Sequence, residues 1–137
     1  MTDKAFNYLG IMRKAGKLAI GEVDSGAAIR SGKAVLLCLA LDASDNARRR
    51  AEGFVYQRNT PLIRLPYEKE TIAHLVGKPG CSMISLLDLG FASAFVSALA
   101  QIDADQYAAV AQRLKEQTDR AKARQSSARN GKRRNNV

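Results

Sequence analysis

Residues 34–41 are Ala34-Val35-Leu36-Leu37-Cys38-Leu39-Ala40-Leu41, an unbroken apolar run in the first third of the chain. A run of this length fits a β-strand covered on both faces, because a strand with one solvated face alternates apolar and polar residues. Turn and capping residues, Asp42-Ala43-Ser44-Asp45, follow immediately and predict the start of a helix. The run therefore indicates the central strand of a sheet with helices on either side.

Helix and strand patterns alternate on both sides of this strand. Thr2 or Asp3 is the expected cap of the first helix. The patterns predict helices over 3–15, 22–30, 46–57, 67–76 and 91–99, and strands over 17–20, 34–41, 61–65 and 83–86. This order is typical of an α/β fold with helices packed on both faces of the sheet. We expect a three-layer α/β/α sandwich.

The positive charge of the chain is concentrated towards its C-terminus. Lys and Arg number 22 against 13 Asp and Glu, which gives a net charge of +9 over 137 residues. Residues 113–137 hold nine basic and two acidic residues, so this segment carries +7 and the remainder only +2. We expect a nearly neutral folded part with local basic patches, then a polar helix over 102–124 and a flexible basic tail over 125–137.

Residues that could carry catalysis or bind a metal are few and scattered. Cys38 and Cys81 lie far apart in the chain and His74 is the only histidine, so no zinc-ligand spacing is present. The phosphate-loop, dinucleotide-binding and nucleophile-elbow motifs are absent as well. We expect two buried reduced thiols, a structural histidine, no metal, no cofactor and no enzymatic activity.

Two basic clusters are candidates for contact with phosphates. Arg13, Lys14 and Lys17 bracket a tight turn at Ala15-Gly16, and the short strand that follows leads into a helix start at Gly21. Helix N-termini present free backbone N–H groups and a partial positive charge, and they therefore bind phosphates readily. The second cluster, Arg48-Arg49-Arg50, is either a solvated helix face or a further phosphate contact.

Several segments of the first hundred residues resemble one protein family in their order and spacing. They are Arg13-Lys14-Ala15-Gly16-Lys17-Leu18, Gly21-Glu22, Ala28-Ile29-Arg30-Ser31-Gly32-Lys33-Ala34, Leu41-Asp42-Ala43-Ser44-Asp45-Asn46 and Asp88-Leu89-Gly90-Phe91-Ala92. This set resembles the kink-turn-binding ribosomal proteins of the L-seven-Ae and L-thirty-e family, in particular its bacterial YlxQ-like branch. The resemblance implies an α/β/α domain over 1–101 with a small mixed four-stranded sheet. It also implies a structured RNA partner, a kink-turn-like ribosomal RNA.

Members of this family grip a kinked RNA helix with the start of the second helix and with the loop that joins the last strand to the last helix. In this chain the resemblance places those contacts, and the turn after the central strand, in three segments. Together with Arg13, Lys14 and Lys17, the expected RNA-binding residues are Gly21, Glu22, Val23, Asp24 and Ala27, then Asp42 and Ser44, and then Leu86, Leu87, Asp88 and Leu89.

The second helix departs from the family motif Gly-x-Asn-Glu-x-x-Lys. The chain keeps Gly21 and has Asp24 in place of Glu, but Val23 stands for the Asn and Ala27 for the Lys. A bidentate base contact contributes about 1–3 kcal/mol, so these two replacements predict weaker reading of base edges. We expect the basic arm from Arg120 onward to add salt-sensitive phosphate contacts.

Two other classes of function stay open from the sequence. One is a protein-interaction module of the same fold in ribosomal or translation complexes, for which Val23, Leu86 and Leu87 would form an apolar patch if they were exposed together. The other is part of an RNA methyltransferase, although the chain offers no second domain for a methyl donor. We expect a monomeric cytoplasmic RNA-binding protein, since no heptad seam, signal peptide or membrane-spanning run is present.

Overall fold

The computed structural model describes residues 3–135 and, within them, the side chains of residues 3–126. Thr2, one of the two expected caps, and most side chains of the predicted basic tail lie outside the described residues. Helices and strands alternate along the described chain, as the sequence predicts. They are α1 (Lys4–Lys14), β1 (Leu18–Ile20), α2 (Glu22–Arg30), β2 (Leu36–Leu39), α3 (Asp45–Val55), β3 (Leu62–Arg64), α4 (Lys69–Val76), β4 (Met83–Leu86), α5 (Leu89–Ile102) and α6 (Ala104–Asn135).

The strands form one mixed four-stranded sheet in the order β1-β4-β2-β3. β2 and β3 are parallel, whereas β4 lies between β1 and β2 and runs antiparallel to both. β1, β2 and β3 therefore end at the side of the sheet where β4 begins with Met83. We name this side the upper end of the sheet. The lower end is the opposite edge, where β4 finishes at Leu86 and the other three strands begin.

Successive residues of β2 face two different cores. Leu36 and Cys38 belong to a large core built with α1, α4, α5 and α6, whereas Leu37 and Leu39 belong to a smaller core under α2 and α3. All four side chains are buried. The central strand and the α/β/α sandwich predicted from the apolar run are therefore confirmed.

Short polar side chains that directly precede α1 and α3 cap these helices. Asp3 accepts from the N–H of Phe6 at 2.6 Å at the start of α1, and Ser44 accepts from the N–H of Ala47 at 3.1 Å at the start of α3. These caps satisfy N–H groups that have no partner within the helix. Gly21 directly precedes α2 and offers no side-chain cap. The first N–H groups of α2 are therefore available to a ligand.

The two C-terminal helices are longer than the sequence patterns predict. α5 covers Leu89–Ile102 rather than 91–99, and α6 continues to Asn135 although Ser, Asn and Gly after Arg124 predict an earlier end. Ala, Gln, Arg and Lys are interspersed among those weak helix formers and favour the helix. Tyr107 anchors α6 to the sheet, since its hydroxyl donates to the carbonyl oxygen of Arg64 at 2.5 Å.

The two cysteines are buried, whereas the histidine lies at the surface of α4. Cys38 and Cys81 are buried and unbonded to each other, as predicted, and burial raises the pKa of both thiols. His74 is exposed and lies 4.0 Å from Glu70 one helical turn earlier. No group of three His, Cys, Asp or Glu residues in the described part of the chain is placed to hold a metal ion. Nor does any described helix combine the length and apolarity that a membrane span needs.

Candidate nucleic-acid interface

The start of α2 lies at the upper end of the sheet, directly after β1. Gly21 has a φ of 89° and donates its N–H to the carbonyl oxygen of Met83 at 3.0 Å, which holds the helix start beside β4. A positive φ is strained for any residue with a Cβ, so glycine suits this position. Val23, Asp24 and Ala27 are exposed, and the side chain of Val23 reaches 77% exposure. The expected RNA-reading face of α2 is therefore open to solvent.

The loop between α4 and β4 packs against this helix start. A Cβ at position 21 would overlap the ammonium group of Lys78, so that charge lies directly beside Gly21. Burial raises the pKa of the neighbouring Cys81 thiol, although hydrogen bonds to the backbone of Met83 and Gly21 and the charge of Lys78 act in the opposite direction. The loop thus places a cation beside the uncapped helix start.

A second cation reaches the same loop from α1. The guanidinium of Arg13 lies 3.6 Å from the position that a Cβ on Gly77 would take. Gly77 ends α4 and precedes Lys78, so Arg13 and Lys78 both add positive charge to the upper end. Sequence reasoning included Arg13 but missed Lys78. The sequence feature that could have indicated Lys78 is its position between the turn residues Gly77 and Pro79.

Glu22 forms an ion pair that braces α2 against α3. Its Oε1 lies 2.5 Å from Nε of Arg50. Arg48 also pairs with carboxylates, both of them on its own helix. Arg49 is exposed and makes no ion pair within the part of the chain whose side chains are described. Of the three arginines, Arg49 is therefore the one most available to a phosphate.

Asp42 and Ser44 lie at the upper end, where both are exposed and both support helix starts. Asp42 accepts from the N–H of Lys69 at 2.8 Å at the beginning of α4, and Ser44 caps α3. A groove of about 640 Å³ opens between Asp42, α4 and the loop at 77–80. Asp42 and Glu70 line it together with Lys69, so its charge is mixed rather than basic.

The remaining four expected residues, Leu86, Leu87, Asp88 and Leu89, lie at the lower end. Leu86 pairs with Leu18 and is fully buried, and Leu87 donates its N–H to the carbonyl oxygen of Lys17 at 2.9 Å. The four-residue strand β4 spans about 10 Å and separates them from Gly21. The structure therefore places this loop and the start of α2 at opposite ends of the sheet. Because β4 is antiparallel to β1, the loop before β4, not the loop after it, meets α2.

Lys14 and Lys17 are not joined to the start of α2 either. Lys14 is the last residue of α1, and Lys17 immediately precedes β1 at the lower end. Both are exposed. Arg13 is the member of the N-terminal basic cluster whose side chain reaches the loop beside Gly21.

The apolar patch expected from Val23, Leu86 and Leu87 does not form. Val23 is exposed at the upper end, whereas Leu86 has no exposed surface and belongs to the large core. Leu87 is half-buried against the smaller core. The three side chains therefore offer no shared surface to a protein partner.

Comparison with known proteins agrees with this architecture. RNA-binding protein YlxQ of Enterococcus faecium is 36% identical to this chain over 90 residues, which are 66% of this chain and 85% of the relative. A solved protein of unknown function from Bacillus halodurans has a TM-score of 0.64 at 21% identity and is matched over 71% of this chain and 97% of that chain. The second likeness supports the fold alone. No family model matches the chain. The identity to the first relative and its coverage show that the chain belongs to the YlxQ-like branch of the L-seven-Ae and L-thirty-e family.

Proposed function

We propose that this protein binds structured RNA through the upper end of its sheet. The observation that carries the proposal is the uncapped start of α2 with the ammonium group of Lys78 beside it. A helix N-terminus carries a partial positive charge, so a cation at that place is repelled unless an anion lies between them. An RNA phosphate bound there would accept from the free N–H groups and offset the repulsion.

The exposed side chains of α2 suit contact with bases next to that phosphate. The carboxylate of Asp24 can accept hydrogen bonds from amino groups on base edges, and Val23 and Ala27 offer apolar contact only. We propose that phosphate contacts therefore supply a larger share of the affinity than base contacts do. Basic residues of α6, from Arg120 onward, extend the same electrostatic attraction.

Family membership and the name of the Enterococcus faecium relative support the same class of function. We propose a kink-turn-like ribosomal RNA as the target, bound by a monomer in the cytoplasm without catalysis and without a cofactor. The alternative role in protein interaction depended on an apolar patch that includes Val23 and Leu86. This patch does not form, because Leu86 is buried and Val23 lies at the other end of the sheet.

Filter binding across a salt series tests this proposal. One RNA carries a kink-turn with tandem sheared G·A pairs, and the control RNA is a duplex of equal length in which those pairs are replaced by Watson–Crick pairs. We expect the kink-turn RNA to bind more tightly, and both affinities to fall as the salt concentration rises. Negligible binding of both RNAs at low salt would refute RNA binding. Equal binding would refute the choice of the kink-turn.

A further inference from the structure

A basic groove lies at the lower end of the sheet, away from the start of α2. It opens between the end of α2, the loop that joins α3 to β3, and α6, and its volume is about 680 Å³. Arg58, Arg120 and Arg124 line it, together with polar side chains of the loop and of α6. None of the described lining residues carries a carboxylate. The groove therefore concentrates positive charge without internal neutralisation.

Hydrogen bonds hold the walls of the groove in place. The guanidinium of Arg58 donates to the carbonyl oxygen of Ile29 at 3.2 Å, which ties the loop to the end of α2. The guanidinium of Arg113 donates to the carbonyl oxygen of Asn59, which ties the same loop to α6. A guanidinium has five N–H donors, so most donors of Arg58 stay free for a ligand.

The two arginines on α6 are placed to act together. Arg120 and Arg124 lie one helical turn apart on the face that also carries Gln117. Neither makes an ion pair with any residue whose side chain the structure describes. Guanidinium groups match the oxygens of a phosphate in bidentate geometry, so a row of phosphates is the ligand that this charge pattern fits.

An exposed aromatic residue lies next to the groove along the chain. Tyr56 is 72% exposed and directly precedes Gln57, a lining residue with a φ of 57° that turns the chain sharply. An open aromatic face is a surface on which an unpaired base can stack. Arginines for phosphates beside an aromatic face for bases favour RNA over an acidic peptide as the occupant.

We infer that this groove is a second RNA-contact site, which takes the phosphate backbone of an unpaired segment flanking the RNA held at the upper end. The inference rests on the proposed function. One RNA can reach both ends, because the strands have only three or four residues and the sheet is about 10–15 Å long between its two ends. The two sites together define a path across the molecule.

A pair of double variants tests the inference. R120Q/R124Q removes two charges from the groove, and K4Q/K115Q removes two charges from exposed positions outside it. The RNA is a kink-turn with an unpaired extension. We expect R120Q/R124Q to lose about tenfold in affinity and to lower the salt slope by about 1.5, with much smaller changes for K4Q/K115Q.

Position and ligand class are tested by crosslinking and competition. Ultraviolet crosslinking of the unpaired extension should attach RNA to the peptide that holds Tyr56, and Tyr56→Ala should remove that attachment. If the parent protein binds RNA but both double variants behave alike, the groove is refuted and the proposed function stands. If the parent protein binds no RNA, both fail. Equal competition by polyglutamate of the same charge would overturn RNA in favour of acidic protein segments.

Discussion

The ammonium group of Lys78 lies beside Gly21, in the space that a side chain at position 21 would fill. The two residues meet because β1 and β4 are antiparallel neighbours, with Ile20 opposite Ile84. The end of β1 and the beginning of β4 therefore share one edge of the sheet. A lysine charge and the positive end of a helix are held together there, which prepares the site for an anion.

Replacement of Lys78 by Gln is expected to weaken RNA binding without loss of folding stability. The variant removes one phosphate contact, so the slope of log affinity against log salt should fall by about 0.7–0.9. Unfolding by urea should show equal or slightly higher stability, because the repulsion with the start of α2 disappears. Lys115→Gln, which removes an exposed charge from α6, is the control. Equal salt slopes for both variants would contradict this role of Lys78.

The double substitution V23N/A27K is expected to strengthen recognition of a kink-turn. It restores the two family side chains at positions that are exposed in this protein, so neither replacement disturbs the core. Each restored base contact is worth about 1–3 kcal/mol, or roughly five- to 150-fold in affinity. Fluorescence anisotropy should show this gain for the kink-turn RNA and little gain for the fully paired duplex. A similar gain for both RNAs would mean that the added lysine acts only through charge.

Substitution of Ser85 by Ala is expected to stabilise the fold. Its hydroxyl is fully buried on β4 and has no hydrogen-bond partner among the described residues. An unsatisfied buried hydroxyl costs about 1–3 kcal/mol, and alanine removes that cost. Ser25 is the matched control, since its buried hydroxyl donates to the carbonyl oxygen of Ala19 at 3.4 Å. Thermal unfolding should therefore shift upwards for Ser85→Ala but not for Ser25→Ala.

Alkaline stability should depend on Tyr107. Burial, with the charges of Asp103 and Cys38 acting in the same direction, raises the pKa of Tyr107 to about 12. The folded state therefore favours the neutral phenol, which stabilises the fold. This stabilisation is fully present below about pH 10, the pKa of tyrosine in the unfolded chain, and it is lost as the pH rises towards 12. Burial raises the pKa of Tyr67 as well, so part of the alkaline loss belongs to that residue.

The variant Tyr107→Phe isolates the contribution of this one hydroxyl. Its free energy of unfolding should be lower by about 0.5–1.5 kcal/mol at neutral pH, because the hydrogen bond to the carbonyl oxygen of Arg64 is removed. Its stability should nevertheless fall less steeply between pH 10 and 12. Tyr56→Phe, at an exposed position, should follow the parent protein. Urea unfolding at a series of pH values measures both, and parallel profiles for Tyr107→Phe and the parent would contradict the expectation.

Most of the fold was predictable, but only part of the candidate site was. The apolar run at 34–41 predicted β2, and Asp3 and Ser44 predicted helix starts, because burial pattern and capping are local properties of the chain. Val23, Asp24 and Ala27 are exposed, as contact with RNA requires, and their role stays a prediction. Lys78 was missed because it lies far from Gly21 in the sequence, and no local pattern reveals that contact.

By itself the sequence determined the α/β class, the order of the elements and the accumulation of positive charge towards the C-terminus. Only the tertiary structure decided which loops share an edge of the sheet, and it separated Leu86–Leu89 from α2 while joining the loop at Lys78 to it. The physical reason is that periodicity and capping act over a few residues. The direction and order of strands, by contrast, depend on how distant segments pack into two cores at once.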